Sequence, residues 1–242
     1  MIMSPIPAKL QAVRDAIATS ERLAGRDPAQ VRLLAVSKTF GSQEVLQAVQ
    51  AGQTAFGENY LQESLDKMAE MAILAPHIAL EWHYIGPIQS NKTKPIAEHF
   101  AWVHTVERVK IAQRLSEQRP AHLPDLNICL QVNISGEASK SGVAPDQLLA
   151  LAQAVQGLPR LKLRGLMAIP EPCDDPAQQR LPFAKVRQLR EMLAENGIVL
   201  DTLSMGMSAD MDAAIAEGAT MVRVGSAIFG ARSYPDAAKQ ET

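Results

Sequence analysis

Lys38 closes the run Val31-Arg32-Leu33-Leu34-Ala35-Val36-Ser37-Lys38, after which Thr39, Phe40 and Gly41 break the pattern. A strand buried on both faces reads as such a continuous apolar run. A lysine at its end stands where the strand leaves the core, at the mouth of any pocket there. Partial burial lowers an amine's pKa and makes it a nucleophile toward carbonyls. The competing reading is a lysine whose stem packs while its ammonium stays in water. Lys38 alone does not separate the two.

Two further segments carry chemistry. Ser204-Met205-Gly206-Met207-Ser208 ends one apolar run and leads toward a helix-period stretch. Gly206 allows close approach to the backbone, and Ser208 offers a hydroxyl that, with the following amides, cradles an oxyanion. Ser208 also suits a plain helix N-cap, and Asp210 and Asp212 already complement the helix dipole there. Gly225-Ser226 is a second small donor pair with a hydroxyl. Arg223 sits inside the apolar run Met221-Val222-Arg223-Val224. A guanidinium in such a run requires a partner, either a ligand atom or a carboxylate such as Glu58.

These residues need elements to bring them together. Candidate strands cover residues 31–38, 54–59, 81–87, 101–106, 126–134, 163–169, 202–208 and 221–229, with helical patterns at 42–51, 60–74, 90–99, 107–118, 145–156, 181–196 and 209–217. An extra helix over 6–24 comes first, and Leu10, Val13, Ile17 and Leu23 are assigned to its apolar face. Alternating strands and helices imply right-handed βαβ units and a parallel sheet. Eight units predict an α/β fold closed as a single (β/α)₈ TIM barrel, with an open doubly wound sheet as the alternative. The whole chain, residues 1–242, is expected to form one domain. The proline-rich segment 170–182 is expected as a long loop on the active face. A barrel's site lies at the C-terminal ends of its strands, and the loops after strands seven and eight often hold phosphate. An amine at strand one, a phosphate cradle at strands seven and eight and an arginine between them suit a phosphate-bearing aldehyde. Pyridoxal phosphate fits, with its ring nitrogen near Arg223.

Gross composition narrows the classes. The chain has 242 residues, 47% of them apolar, and a formal charge of −2. Near-neutral charge and 4% aromatics argue against nucleic-acid binding and against a membrane-surface role. Cys129 and Cys173 are the only cysteines, so neither a disulfide framework nor a zinc-ligand spacing is expected. With no secretion signal and no apolar run long enough to span a membrane, a cytoplasmic location is expected.

The chain resembles the pyridoxal phosphate homeostasis proteins, the alanine racemase N-terminal-like family. The resemblance rests on Leu33-Leu34-Ala35-Val36-Ser37-Lys38, Phe56-Gly57-Glu58-Asn59-Tyr60, Trp82-His83-Tyr84-Ile85-Gly86-Pro87-Ile88-Gln89-Ser90-Asn91-Lys92, Val132-Asn133-Ile134-Ser135-Gly136-Glu137 and Lys140-Ser141-Gly142. Arg164-Gly165-Leu166-Met167-Ala168-Ile169, Leu203-Ser204-Met205-Gly206-Met207-Ser208 and Val222-Arg223-Val224-Gly225-Ser226-Ala227-Ile228-Phe229-Gly230 complete it. It implies pyridoxal 5'-phosphate on Lys38 as an internal aldimine. It further implies phosphate contacts from Ser204, Met205, Gly206, Ser208, Gly225 and Ser226, Arg223 beside the pyridine ring, and Asn59 near the cofactor. The family commonly has Thr where this chain has Ser226, so a hydroxyl is kept.

The implied function is binding, buffering or delivery of the cofactor, affecting amino-acid and keto-acid balance, without robust catalysis. Apo forms of enzymes that use the cofactor are the implied transient partners, and a monomer is expected. Alanine racemases add a C-terminal β domain and an opposing tyrosine from the partner subunit; the motif match here ends at Gly230. Of the only tyrosines, Tyr60, Tyr84 and Tyr234, none is assigned as a replacement base. A racemase or another fold-type III enzyme is the alternative, and a barrel for a phosphorylated sugar or aldehyde a third reading. Lys92 and Lys94 read as a solvated helix start, residues 135–142 as an ordinary loop with Lys140 near the site mouth, and His83 and His104 as hydrogen-bonded strand-end histidines. Met167, Met205 and Met207 read as packing against a flat ligand or the barrel core.

Overall fold

The computed structural model describes residues 5–136 and 141–230. Among these residues, eight parallel strands close in sequence order into a barrel. They are β1 (Arg32–Val36), β2 (Ala55–Glu58), β3 (Glu81–Tyr84), β4 (Trp102–Val106), β5 (Leu126–Gln131), β6 (Leu161–Met167), β7 (Thr202–Ser204) and β8 (Met221–Val224). The helices are α1 (Pro5–Leu23), α2 (Ser42–Gln50), α3 (Leu61–Leu74), α4 (Thr93–His99), α5 (Val109–Gln118), α6 (Leu148–Gln156), α7 (Pro176–Glu195), α8 (Met211–Ala216) and α9 (Ser226–Phe229). Closure pairs β8 with β1, setting Leu34 opposite Arg223 and Ala35 opposite Val224. The expected (β/α)₈ barrel with an extra N-terminal helix is thus the observed fold.

Successive strand residues face opposite sides, and the burial follows. Leu33, Ala35, Phe56, Trp82, Tyr84 and Val103 join the main core between sheet and helices. Leu34, Ala55 and Met221 form one separate cluster and Trp102, Cys129 and Met167 another, filling the barrel from inside. Complete burial pushes the Cys129 thiol up to about 12. The two cysteines are free.

Several boundaries differ from the sequence expectation. Residues 226–229 continue β8 in the pattern but form the short helix α9. The expected loop 170–182 is shorter, because α7 starts at Pro176. The Asp175 side chain caps it by accepting from the Ala177 amide at 2.9 Å, and Pro182 lies within the helix. On α1, Ile6, Leu10, Val13 and Ile17 are buried, whereas Leu23 is 81% exposed. At 3.6 residues per turn Ala24, not Leu23, returns to the Leu10 face, and Ala24 packs on the core. Lys92 and Lys94 are exposed at the start of α4, as expected of a solvated helix start, and Lys94 lies 3.8 Å from Glu98. Lys140 and Tyr234 lie outside the described residues.

Candidate functional site

A cavity of about 310 Å³ opens at the C-terminal ends of β7, β8, β1 and β2. That volume lies at the lower end of the roughly 300–1,000 Å³ usual for small-molecule sites. Lys38, Asn59, Ser208, Arg223, Gly225 and Ser226 line it. Val36, Phe40, Ile85, Ile169 and Met207 supply apolar wall. Phe40 is fixed by stacking on Phe229, ring centroids 5.2 Å apart.

Each functional residue is placed by the end of a strand. Lys38 stands two residues beyond β1 and is half-buried. Asn59 follows β2, and its backbone lies against Gly86; a Cβ on Gly86 would stand 2.3 Å from the Asn59 carbonyl oxygen. Only glycine fits there, so Gly86 lets the β2 end close over the β3 end. Ser208 and Ser226 are exposed at the mouth, with their hydroxyl oxygens 3.5 Å apart. The helix-cap reading of Ser208 is not what the structure shows: the residue preceding α8 is Asp210, whose carboxylate turns back to accept from the Met207 amide at 2.6 Å. Asp212 accepts from Ser20 on α1 at 2.6 Å.

Three residues of the expected cradle stand behind the cavity wall. Ser204 and Met205 are fully buried. The Met205 amide is bound to the Met221 carbonyl at 3.1 Å. Gly206 has φ +92°, and a Cβ there would meet the Ala214 Cβ at 2.6 Å, so its glycine answers to backbone conformation and to packing on α8. Ser204 touches Arg223 instead. The Arg223 guanidinium donates to the Ser204 carbonyl at 2.5 Å, the Ser204 hydroxyl at 2.9 Å and the Ala168 carbonyl at 2.9 Å. Among the described residues it has no carboxylate at ion-pair distance. Glu58, the carboxylate considered for it, faces outward toward α3 and pairs with Lys67. Burial pulls Arg223 down to about 10, still charged at neutral pH.

The Ser204 hydroxyl continues into a buried chain in which His83 and His104 are hydrogen-bonded, as expected; what sequence reasoning missed is that they join each other, Ser204 and Glu81. His104 Nδ1 lies 2.8 Å from Ser204 Oγ, His104 Nε2 lies 2.9 Å from His83 Nδ1, and His83 Nε2 lies 2.6 Å from Glu81 Oε1. Burial pushes His83 below the usual histidine range against the pull of Glu81. Burial, the neighbouring His83 and Arg223 push His104 well below it. Burial raises the Glu81 carboxyl, but His83 and Arg32 more than offset it, leaving the group below its usual range. With both rings neutral, a donor at one end and a carboxylate at the other leave one consistent direction. Arg223 donates to Ser204, Ser204 to His104, His104 to His83, and His83 to Glu81. The signal was the apolar-flanked position of both histidines.

A second missed network lies outside the barrel wall. Lys67 on α3, almost fully buried, donates to Glu58 at 2.7 Å and to the Ser37 carbonyl at 2.9 Å. Burial lifts the Glu58 carboxyl above its usual range, with Lys67 and Ser37 pulling the other way. Its spacing from Ser64 and Met71 put Lys67 on the buried face of α3, and that spacing was the available signal.

Residues 8–233 match the family described as alanine racemase, N-terminal domain. The chain is 62% identical over 232 residues to the pyridoxal phosphate homeostasis protein of Pseudomonas aeruginosa, covering 96% of this chain and 98% of that one. The chain belongs to the pyridoxal phosphate homeostasis protein family. The Escherichia coli member of that family is 51% identical over 237 residues, covering 96% of this chain and 99% of its own. A structure of PipY from Synechococcus elongatus with PLP bound superposes with a TM-score of 0.77 at 36% identity, covering 88% of this chain and 100% of that chain. Among the described residues, no helix of this family member is long and apolar enough to cross a membrane.

Proposed function

We propose that this chain holds pyridoxal phosphate in the cavity at the β7–β8–β1–β2 ends and serves to buffer and deliver it, with enzymes that use the cofactor as recipients. The observation that carries the reading is one cavity lined by an amine, a buried guanidinium and two facing hydroxyls: Lys38, Arg223, Ser208 and Ser226. This donor set fits the group. Ser208 and Ser226 offer hydroxyl donors to a phosphate at the exposed mouth, while Ile85, Ile169 and Met207 offer apolar surface to a flat ring. When bound, the cofactor supplies an aldehyde that condenses with a primary amine and a ring that withdraws electrons. Lys38 provides that amine. Arg223, charged at neutral pH and held by two carbonyls and a hydroxyl, would disfavour a proton on the ring nitrogen if the ring lay beside it. Asn59, which lines the cavity from the β2 side, would border a bound ring.

The same lining supports weak turnover. Moving a proton across a substrate carbon needs an acid and a base on opposite faces. Among the described residues lining the cavity, Lys38 and Arg223 are the ionisable ones, and a charged guanidinium does not serve as a base. Tyr60 is 46% exposed and outside the lining. Tyr84 is buried, donates to the Pro87 carbonyl at 3.2 Å and has its phenol pushed up by burial. The test is solvent deuterium exchange at the α-carbon of a panel of amino acids, using protein loaded with the cofactor. Exchange far slower than the ~1–1000 s⁻¹ of ordinary enzymes is the expected result. Exchange within that range identifies an amino-acid racemase or related enzyme and overturns the carrier reading.

A further inference from the structure

We propose that Lys67 and Glu63 are positioning residues for Lys38, clamping the backbone on both sides of it from outside the barrel and so setting the direction in which its amine enters the cavity. The inference rests on the reading that Lys38 bonds the cofactor.

The clamp closes on the two residues that flank Lys38. On one side, the Ser37 carbonyl accepts from Lys67 Nζ at 2.9 Å, and the Ser37 hydroxyl donates to Glu58 Oε1 at 2.6 Å. On the other, the Thr39 amide donates to Glu63 Oε1 at 2.7 Å. Lys67 joins the two sides, since its ammonium also donates to Glu58 at 2.7 Å and to Glu63 at 3.1 Å. All three ammonium donors are thereby used, each on an atom that touches the Ser37–Thr39 backbone or on Glu58, which holds Ser37.

Thr39 is the residue that needs holding. Its φ is +69°, a left-handed conformation that β-branched residues rarely adopt. Such a conformation persists when its surroundings over-determine it. A relaxed Thr39 would change the exit angle of the chain immediately after Lys38 and carry the amine with it. The burial points the same way. Glu58 is fully buried and its Oε2 has no hydrogen-bond partner. A buried ion pair is a weak source of stability compared with apolar packing, so its place beside Lys38 calls for another account. Fixing a reactive group through its neighbours is how a site gains precision from rigid elements, here from α3.

Glu63 is the residue to change first, because its side chain is 37% exposed and its removal leaves the core intact. Two ligands separate positioning from general damage: pyridoxal phosphate, which bonds to an amine, and pyridoxamine phosphate, which shares the ring and phosphate but has no aldehyde. Glu63→Ala should bind pyridoxal phosphate roughly tenfold more weakly, the worth of about one charge-assisted hydrogen bond, with pyridoxamine phosphate affinity unchanged. Glu63→Gln keeps an acceptor for the Thr39 amide and should restore wild-type binding. Lys67→Met should show the Glu63→Ala pattern; if it fails to fold, Glu63→Ala still decides. Equal losses for both ligands, or no loss for pyridoxal phosphate, would overturn the clamp. A wild type that binds pyridoxal phosphate no better than Lys38→Ala overturns the underlying cofactor reading instead.

Discussion

Ser208 and Ser226 are alike in chemistry and far apart in sequence, and their hydroxyls meet at 3.5 Å because β7 and β8 are neighbours. In the proposed binding mode each would donate one hydrogen bond to the phosphate, worth about 0.5–1.5 kcal/mol when partly hydrated. The double variant Ser208→Ala/Ser226→Ala should therefore weaken pyridoxal phosphate binding by roughly 1–3 kcal/mol, or about 5- to 150-fold. Pyridoxal without its phosphate, titrated in parallel, should bind both proteins equally. An unchanged phosphate preference would place the phosphate elsewhere. Residue types made this pair visible in the sequence, since small hydroxyl residues beside or near glycine at strand ends suit an anion. Ser204, Met205 and Gly206 share that composition yet stand behind the wall. The five-residue run from Ser204 to Ser208 does not reveal which of its members face a cavity and which face a helix.

The inward faces of β3, β4, β7 and β8 carry the chain from Glu81 through His83, His104 and Ser204 to Arg223. Strand alternation places these residues inside the barrel, and barrel closure connects them; neither is apparent from any one strand. Both imidazoles are held below their usual range, His104 the further. The folded protein therefore binds fewer protons than the unfolded chain once pH falls below about 6.5, the ordinary histidine value. The stability from keeping these rings neutral is fully present above that pH and is lost as pH falls below it. His104→Asn retains an acceptor for Ser204 and does not titrate. Between pH 7 and 5.5 the unfolding free energy of the wild type should fall more steeply than that of the variant, by up to one additional proton taken up on unfolding. Parallel curves would mean that His104 is charged in the folded protein. Element boundaries were less legible than element types. Asp175-Pro176 is a helix start, but the surrounding prolines masked it, and Ser226–Phe229 keeps a strand-like composition while turning as a helix.

Over the whole molecule, alternating apolar runs and helical stretches were enough to predict eight strands, because strands covered on both faces leave an unmistakable pattern. Barrel closure then turns sequence ends into neighbours: Lys38 near the start of the chain and Arg223 near residue 230 line one cavity. Less legible was what surrounds that cavity. The spacing of Lys67 from Ser64 and Met71 marks it as facing inward, but its partner Glu58 on β2 is not apparent from either segment alone. Pyridoxal phosphate binding by this chain is proposed to depend on Lys38 as the attachment point. The most direct test is borohydride reduction of the protein loaded with the cofactor, followed by digestion and mass mapping of the modified peptide. Visible absorbance should disappear on reduction, the cofactor mass should map to Lys38, and Lys38→Ala should show neither the absorbance nor the adduct. Modification at another lysine, or a protein that gains no visible absorbance from added cofactor, would contradict it.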